Sequence, residues 1–159
     1  MEYEAASTDE LFKNLQARAD LVFKFAIMYA DYLSEKHDYG TGELINMVEV
    51  HTLTAIEETP GITVTELAKY WNRTKGAISQ TVTKLANKGY VSKRKHPTNA
   101  KNVLLFATQK GKKLSYAHKA YDVADVTTTM QELMKHCTPE EIDSFFKVIA
   151  FYNQILENE

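Results

Sequence analysis

The chain has 159 residues, 44% of them hydrophobic and 25% charged, with a net charge of −2. These are ordinary values for a soluble globular protein with one core large enough to fold unaided. No run of eighteen apolar residues is present, which excludes a membrane-spanning helix, and the acidic opening MEYEAASTDE lacks the basic-then-apolar pattern of a secretory signal. Cys137, alone of its kind, excludes an intramolecular disulfide and fits a reducing, cytoplasmic compartment.

The small net charge conceals a strong separation of sign. Residues 60–113 hold twelve Lys and Arg against Glu66 alone, a local charge of +11; the rest of the chain, with seven basic and twenty acidic residues, carries −13. A basic middle between acidic flanks is expected of a surface that meets a polyanion, because Lys and Arg displace counterions from phosphates.

Apolar residues recur at helical spacing over about 9–37, through Leu11, Phe12, Leu15, Ala19, Val22, Phe23, Ala26, Ile27, Ala30 and Leu33, until Asp38, Gly40 and Gly42 break the pattern. A second helix is expected over about 43–58, with Leu44, Met47, Val48, His51, Leu53 and Ile56 on its stripe and Thr59-Pro60-Gly61 as its stop. Thr63 and Glu66 form a capping box for a short helix that turns Val64, Leu67, Ala68 and Trp71 to the core. Asn72 and Arg73 make a turn, Thr74 caps a helix to about Asn87 with Ile78, Val82 and Leu85 buried, and Gly89 ends it. Tyr90–Lys95 and Asn102–Ala107 read as two strands around the loop His96-Pro97-Thr98-Asn99-Ala100-Lys101. Thr108 caps a helix expected to reach about His136, weakened or bent at Thr127-Thr128-Thr129, and Thr138, Pro139 and Glu141 open a last helix.

Helix, short helix, tight turn, helix and basic hairpin make a winged helix-turn-helix, mainly α with a small β-hairpin wing. In that arrangement the second helix of the pair lies in the major groove and the hairpin reaches toward the neighbouring minor groove. The face opposite Ile78, Val82 and Leu85 carries Lys75, Gly76, Ser79, Gln80, Thr83 and Lys84. Gln80 suits paired contacts to adenine, Ser79 and Thr83 suit bases or phosphates, and Lys75, Lys84 and Lys88 suit phosphates. Thr65 and Thr74 at the helix starts and Arg94, Lys95, Asn99 and Lys101 of the hairpin complete the expected DNA-facing set.

The stretch ITVTELAKYWNRTKGAISQTVTKLANKGYVSKRKHPTNAKNVLLFATQKGKKL, with its closing T-x-x-G of Thr108 to Gly111, resembles the core of the MarR family of transcriptional regulators. The resemblance implies a DNA-binding lobe at 43–113 and a helical dimerisation region from 1–42 and 114–159, in one structural unit. It implies a homodimeric repressor that binds a pseudo-palindromic operator and is released by a small effector. The family's wing tip usually carries Asp-x-Arg; Asn99, Ala100 and Lys101 stand there, so Lys101 is expected to meet a phosphate. Phe12, Leu15, Phe145, Ile149, Tyr152 and Ile155 are the expected dimer contacts, the last helix being apolar around more than half its circumference. Met28, Tyr29, Tyr32, Met47, His51 and Tyr116 offer apolar walls with polar tips for an apolar, phenolic or acyl effector.

Other chemistry finds no support in the spacing. A Gly-rich phosphate loop, G-x-S-x-G and H-E-x-x-H are absent, so no enzyme and no cofactor is expected. His37, His51, His96, His118 and His136 show neither H-x₃-H nor C-x₂-C spacing, so no metal site is expected. Two alternatives stand beside the regulator: a winged-helix protein-interaction module, and a thiol sensor built on Cys137 beside His136.

Overall fold

Ser7 opens the first helix, its side chain accepting the Glu10 amide while the Glu10 carboxylate accepts from the Ser7 amide, and α1 (Thr8–Ser34) follows. The computed structural model describes residues 7–96 and 102–158. The helix stops short of residue 37. Lys36–Asp38 (β1) and Leu44–Asn46 (β2) instead pair as an antiparallel hairpin, His37 opposite Ile45. Asp38 Oδ1 accepts the amides of Thr41 and Gly42 at 2.9 and 3.0 Å, and Gly40 and Gly42 take φ of 79° and 75°, which residues with a Cβ rarely adopt. These breakers therefore build a turn between strands rather than merely separating two helices. Leu44, expected on a helix face, lies in β2 and is 60% exposed.

Asn46 caps α2 (Met47–Glu58), accepting the Glu49 amide at 2.8 Å, and Val50, Leu53 and Ile56 turn inward. The Thr63–Glu66 capping box is formed as expected at the start of α3 (Val64–Tyr70). Leu67 and Ala68 are buried, but Trp71 is not the core residue expected of it. It caps the helix 37% exposed, edge-on to Tyr70, because Asn72 at φ 46° turns the chain away at that point. Thr74 caps α4 (Lys75–Asn87), which buries Ile78, Val82 and Leu85, and Gly89 follows at φ 76°.

Val91–Lys95 (β3) and Val103–Ala107 (β4) form the second hairpin, with Ser92 opposite Phe106 and Lys95 opposite Val103. Backbone bonds Gly61 N to Leu105 O (2.8 Å) and Leu105 N to Ile62 O (3.0 Å) tie it to the segment before α3. Next, α5 (Gln109–Leu133) runs without a break through the three threonines. The Thr127 and Thr128 hydroxyls donate back to the carbonyls of Val123 and Ala124, which keeps them satisfied inside the helix. The helix stops three residues before His136. Thr138 and Glu141 then form the capping box of α6 (Pro139–Glu157).

The buried apolar core, Tyr39, Ile45, Val50, Leu53, Ile56, Leu67, Val82, Leu85, Tyr90, Leu105 and Leu114 among others, comes from the first hairpin through to the first turns of α5. The T-x-x-G motif fastens that lobe. Thr108 Oγ1 donates to the Gly89 carbonyl at 2.7 Å and accepts the Gly111 amide, and the Thr108 amide donates to Tyr90 O at 2.9 Å. A Cβ on Gly111 would lie 2.2 Å from Tyr90 O, so the approach of α5 to β3 depends on glycine.

Candidate nucleic-acid interface

The periodicity of α4 decides which side chains face outward. With Ile78, Val82 and Leu85 sealed against the core, Lys75, Gly76, Ser79, Gln80, Thr83 and Lys84 are all exposed. No acidic residue occupies the first turn, so the free amides of the N-terminus and Lys75 present positive potential together. Thr65 is likewise exposed, on the first turn of α3.

The second hairpin lies against this helix. Lys93 Nζ donates to Thr83 Oγ1 at 3.3 Å, joining β3 to the outward face of α4. Arg94 is exposed, its guanidinium 4.7 Å from the centre of the Phe106 ring, which holds the charge over an apolar platform. Lys95 is exposed beyond it. Asn99 and Lys101 lie outside the described residues.

Three cations of the basic segment do not stand free for phosphate. Lys88 pairs at 3.2 Å, and Lys84 more loosely at 3.9 Å, with Glu49, a buried carboxylate on α2. Lys110 pairs with Glu43 at 2.6 Å and sits over the Tyr90 ring, while the Tyr90 hydroxyl donates to the same carboxylate. Those bonds, first that from Lys110, hold the Glu43 carboxyl below its ordinary range. Lys88 therefore braces α2 against α4 rather than waiting for a phosphate, and Lys84 is shared. Glu43 and Glu49 both precede residue 60, which is why a count of charge along the segment did not include them.

The expected effector residues separate. Tyr29 stacks on Phe25 at 5.5 Å and contacts Tyr32; a run of ring contacts continues through His37, Tyr39, His118 and His51 to Trp71. Met47 is buried, receiving the Tyr39 hydroxyl on its sulfur at 3.7 Å. Met28 is exposed, and Tyr116, 76% exposed, takes no part in that run. Burial and Asp125 push the Tyr32 hydroxyl up to about 12, and burial does the same to Tyr39. The expected dimer residues Phe12, Leu15, Phe145, Tyr152 and Ile155 are exposed and Ile149 half-buried; α6 buries no residue at all.

Two groups that matter, His118 and Asp122, were given no role by the sequence reading. His118 is 1% exposed, with Nε2 3.2 Å from Asp122 Oδ2, and burial, then His51 and Lys119, pushes its imidazole down to about 4. The available signal was H-x₃-D spacing, which places both groups on one face of a helix.

This geometry, a helix pair with a tight turn, an outward polar second helix and a cationic hairpin bonded to it, defines a winged helix-turn-helix. The comparisons agree. The model of the MarR family matches residues 45–103, and over that core the chain is similar to MarR-family proteins. An uncharacterized HTH-type transcriptional regulator of Bacillus subtilis (strain 168), YhjH, is 33% identical over 84 residues, 53% of this chain and 48% of the relative. The chain thus matches about half the length of that relative. Streptococcus pneumoniae FabT, solved in complex with DNA, superposes with a TM-score of 0.66 at 21% identity, over 92% of this chain and 98% of that one. A MarR protein from Peptoclostridium difficile gives 0.62 at 18%, over 99% and 93%. At such identities these two share the fold.

Proposed function

We propose that this chain is a sequence-specific regulator of transcription that binds double-stranded DNA as a homodimer. The observation that carries the reading is the bond from Lys93 to Thr83, which merges the cationic strand and the outer face of α4 into one surface. Gln80 and Ser79 read base edges, Thr83 and Thr65 set register, and Lys75, Arg94 and Lys95 neutralise phosphates. The DNA-bound state of the FabT neighbour and the description of the Bacillus subtilis relative support this assignment.

The second subunit follows from apolar surface. Leu11, Phe12, Leu15, Phe145, Phe146, Phe151, Tyr152 and Ile155 are about half-exposed or more, on two well-capped helices. A folded protein seldom leaves so much apolar area in water, and a second copy supplies the same faces. Two-fold symmetry then sets the recognition helices about 34 Å apart, on successive turns of the major groove of a pseudo-palindromic operator. Repression relieved by a small effector fits this layout, because a shift of a few ångströms at the dimer helices spoils the spacing. A cytoplasmic location completes the reading; no helix among the described residues is long and apolar enough to cross a membrane. Selection of bound fragments from the source genome followed by footprinting tests it. Two inverted half-sites about one helical turn apart are expected; protection without sequence preference contradicts it.

A further inference from the structure

We propose that His51 of α2, with His118 and Asp122 of α5, forms a binding site for a divalent transition-metal ion of the zinc type. His118 and Asp122 stand one turn apart on the same face of α5, and His51 meets them from the facing helix. The two imidazoles are perpendicular with centroids 4.5 Å apart, and one donor atom from each of the three residues lies within 4.8 Å of the other two.

Donors held at about 2.1 Å by a tetrahedral ion sit about 3.4 Å from one another. The 3.2 Å from His118 Nε2 to Asp122 Oδ2 already matches that spacing. His51 is only half-buried, so a side-chain rotation closes the rest, and its exposed edge gives an ion a way in. Two imidazoles and one carboxylate suit zinc or a neighbouring first-row ion and leave a fourth position for solvent or another ligand.

A plain hydrogen-bonded His–Asp pair accounts for less. His51 makes ring contacts but no hydrogen bond among the described residues, although one of its nitrogens stands within 4.8 Å of the His118 and Asp122 donors. An ion on His118 Nε2 would give that second imidazole a partner beside the carboxylate. Lys119, the neighbouring cation, is turned to Glu57 and Glu58 at 2.7 and 2.9 Å and leaves the Asp122 charge to be met otherwise. An ion here would clamp α2, on which the DNA lobe is built, to the helix leading toward α6.

The test uses the full chain, stripped with a chelator and titrated without DNA, so its outcome is independent of the regulator reading. Co²⁺ is followed by visible absorption and Zn²⁺ by calorimetry. One ion per chain is expected, with His51→Gln and Asp122→Asn each weakening binding by about a hundredfold or more, since even outer-shell losses reach that range. A His136→Gln/Cys137→Ser double variant should bind like the wild type. Circular dichroism establishes folding; should Asp122→Asn fail to fold, the half-buried His51→Gln decides. Absence of stoichiometric binding, unchanged affinity in His51→Gln, or loss of binding in the double variant overturns the proposal.

Discussion

Lys93 of β3 donates to the hydroxyl of Thr83 on α4 at 3.3 Å, and this bond fixes the hairpin's charged arm beside the helix that faces outward. Neither element would suffice alone. A polar helix face is commonplace, and so is a basic hairpin; held side by side they form the one polar, cationic surface that the proposed groove reading requires.

Specificity and general affinity should separate by residue. Gln80→Ala is expected to cost roughly 1–3 kcal/mol at one or two base positions of the operator while leaving random duplex almost unaffected. Lys95→Ala should weaken every sequence alike. Competition binding on operator and scrambled duplex measures both; equal losses on the two DNAs for Gln80→Ala would remove it from the reading set. Lys84→Ala is a poorer phosphate probe, because Glu49 already shares its charge.

Gly111→Ala should destabilise the lobe by about 3 kcal/mol, since the new methyl would meet backbone, which cannot rotate aside. Urea unfolding followed by circular dichroism reads this. A change within 0.5 kcal/mol would mean that α5 shifts away from β3 at little cost.

Charged groups on the last helix should split the dimer. Phe145→Asp with Ile155→Asp is expected to give a folded monomer by sedimentation equilibrium and to lower operator affinity far more than affinity for a half-site. A dimer of unchanged strength would place the interface elsewhere.

Acid stability should report the buried imidazole. In metal-free protein the His118 imidazole titrates near 4 when folded, against about 6.5 when unfolded, so the unfolded chain takes up the proton first. Its stabilisation is therefore complete above pH 6.5 and declines as pH falls toward 4, by about 3 kcal/mol at most. Asp122, whose carboxyl burial raises, acts in the opposite sense. Unfolding free energies of wild type and His118→Gln should converge as pH drops from 6.5 to 4; parallel profiles would refute the burial-driven shift.

Much of this molecule was legible from local rules. The capping boxes of Thr63–Glu66 and Thr138–Glu141, the cap at Thr74 and the left-handed Gly89 each rest on a few adjacent residues and form as read. The hairpin of Lys36–Asp38 with Leu44–Asn46 was not legible, because three-residue strands carry too little periodicity to compete with a neighbouring helical pattern. Trp71 looked buried because its spacing continued the stripe, whereas the chain leaves the helix at Asn72. The site was legible in outline only. Which lysines remain free depends on Glu43 and Glu49 folding back from a distant acidic segment, and the meeting of His51 with His118 depends on packing between helices.

The salt dependence of duplex binding bears most directly on the central assignment. A dimer neutralising six phosphates should lose about a thousandfold in affinity between 50 and 200 mM salt, with a logarithmic slope near −5, and replacing Lys95 in each subunit should flatten that slope by one to two. Affinity that barely changes over this range, or a slope indifferent to Lys95, would contradict a phosphate-binding role for the face formed by α4 and the second hairpin.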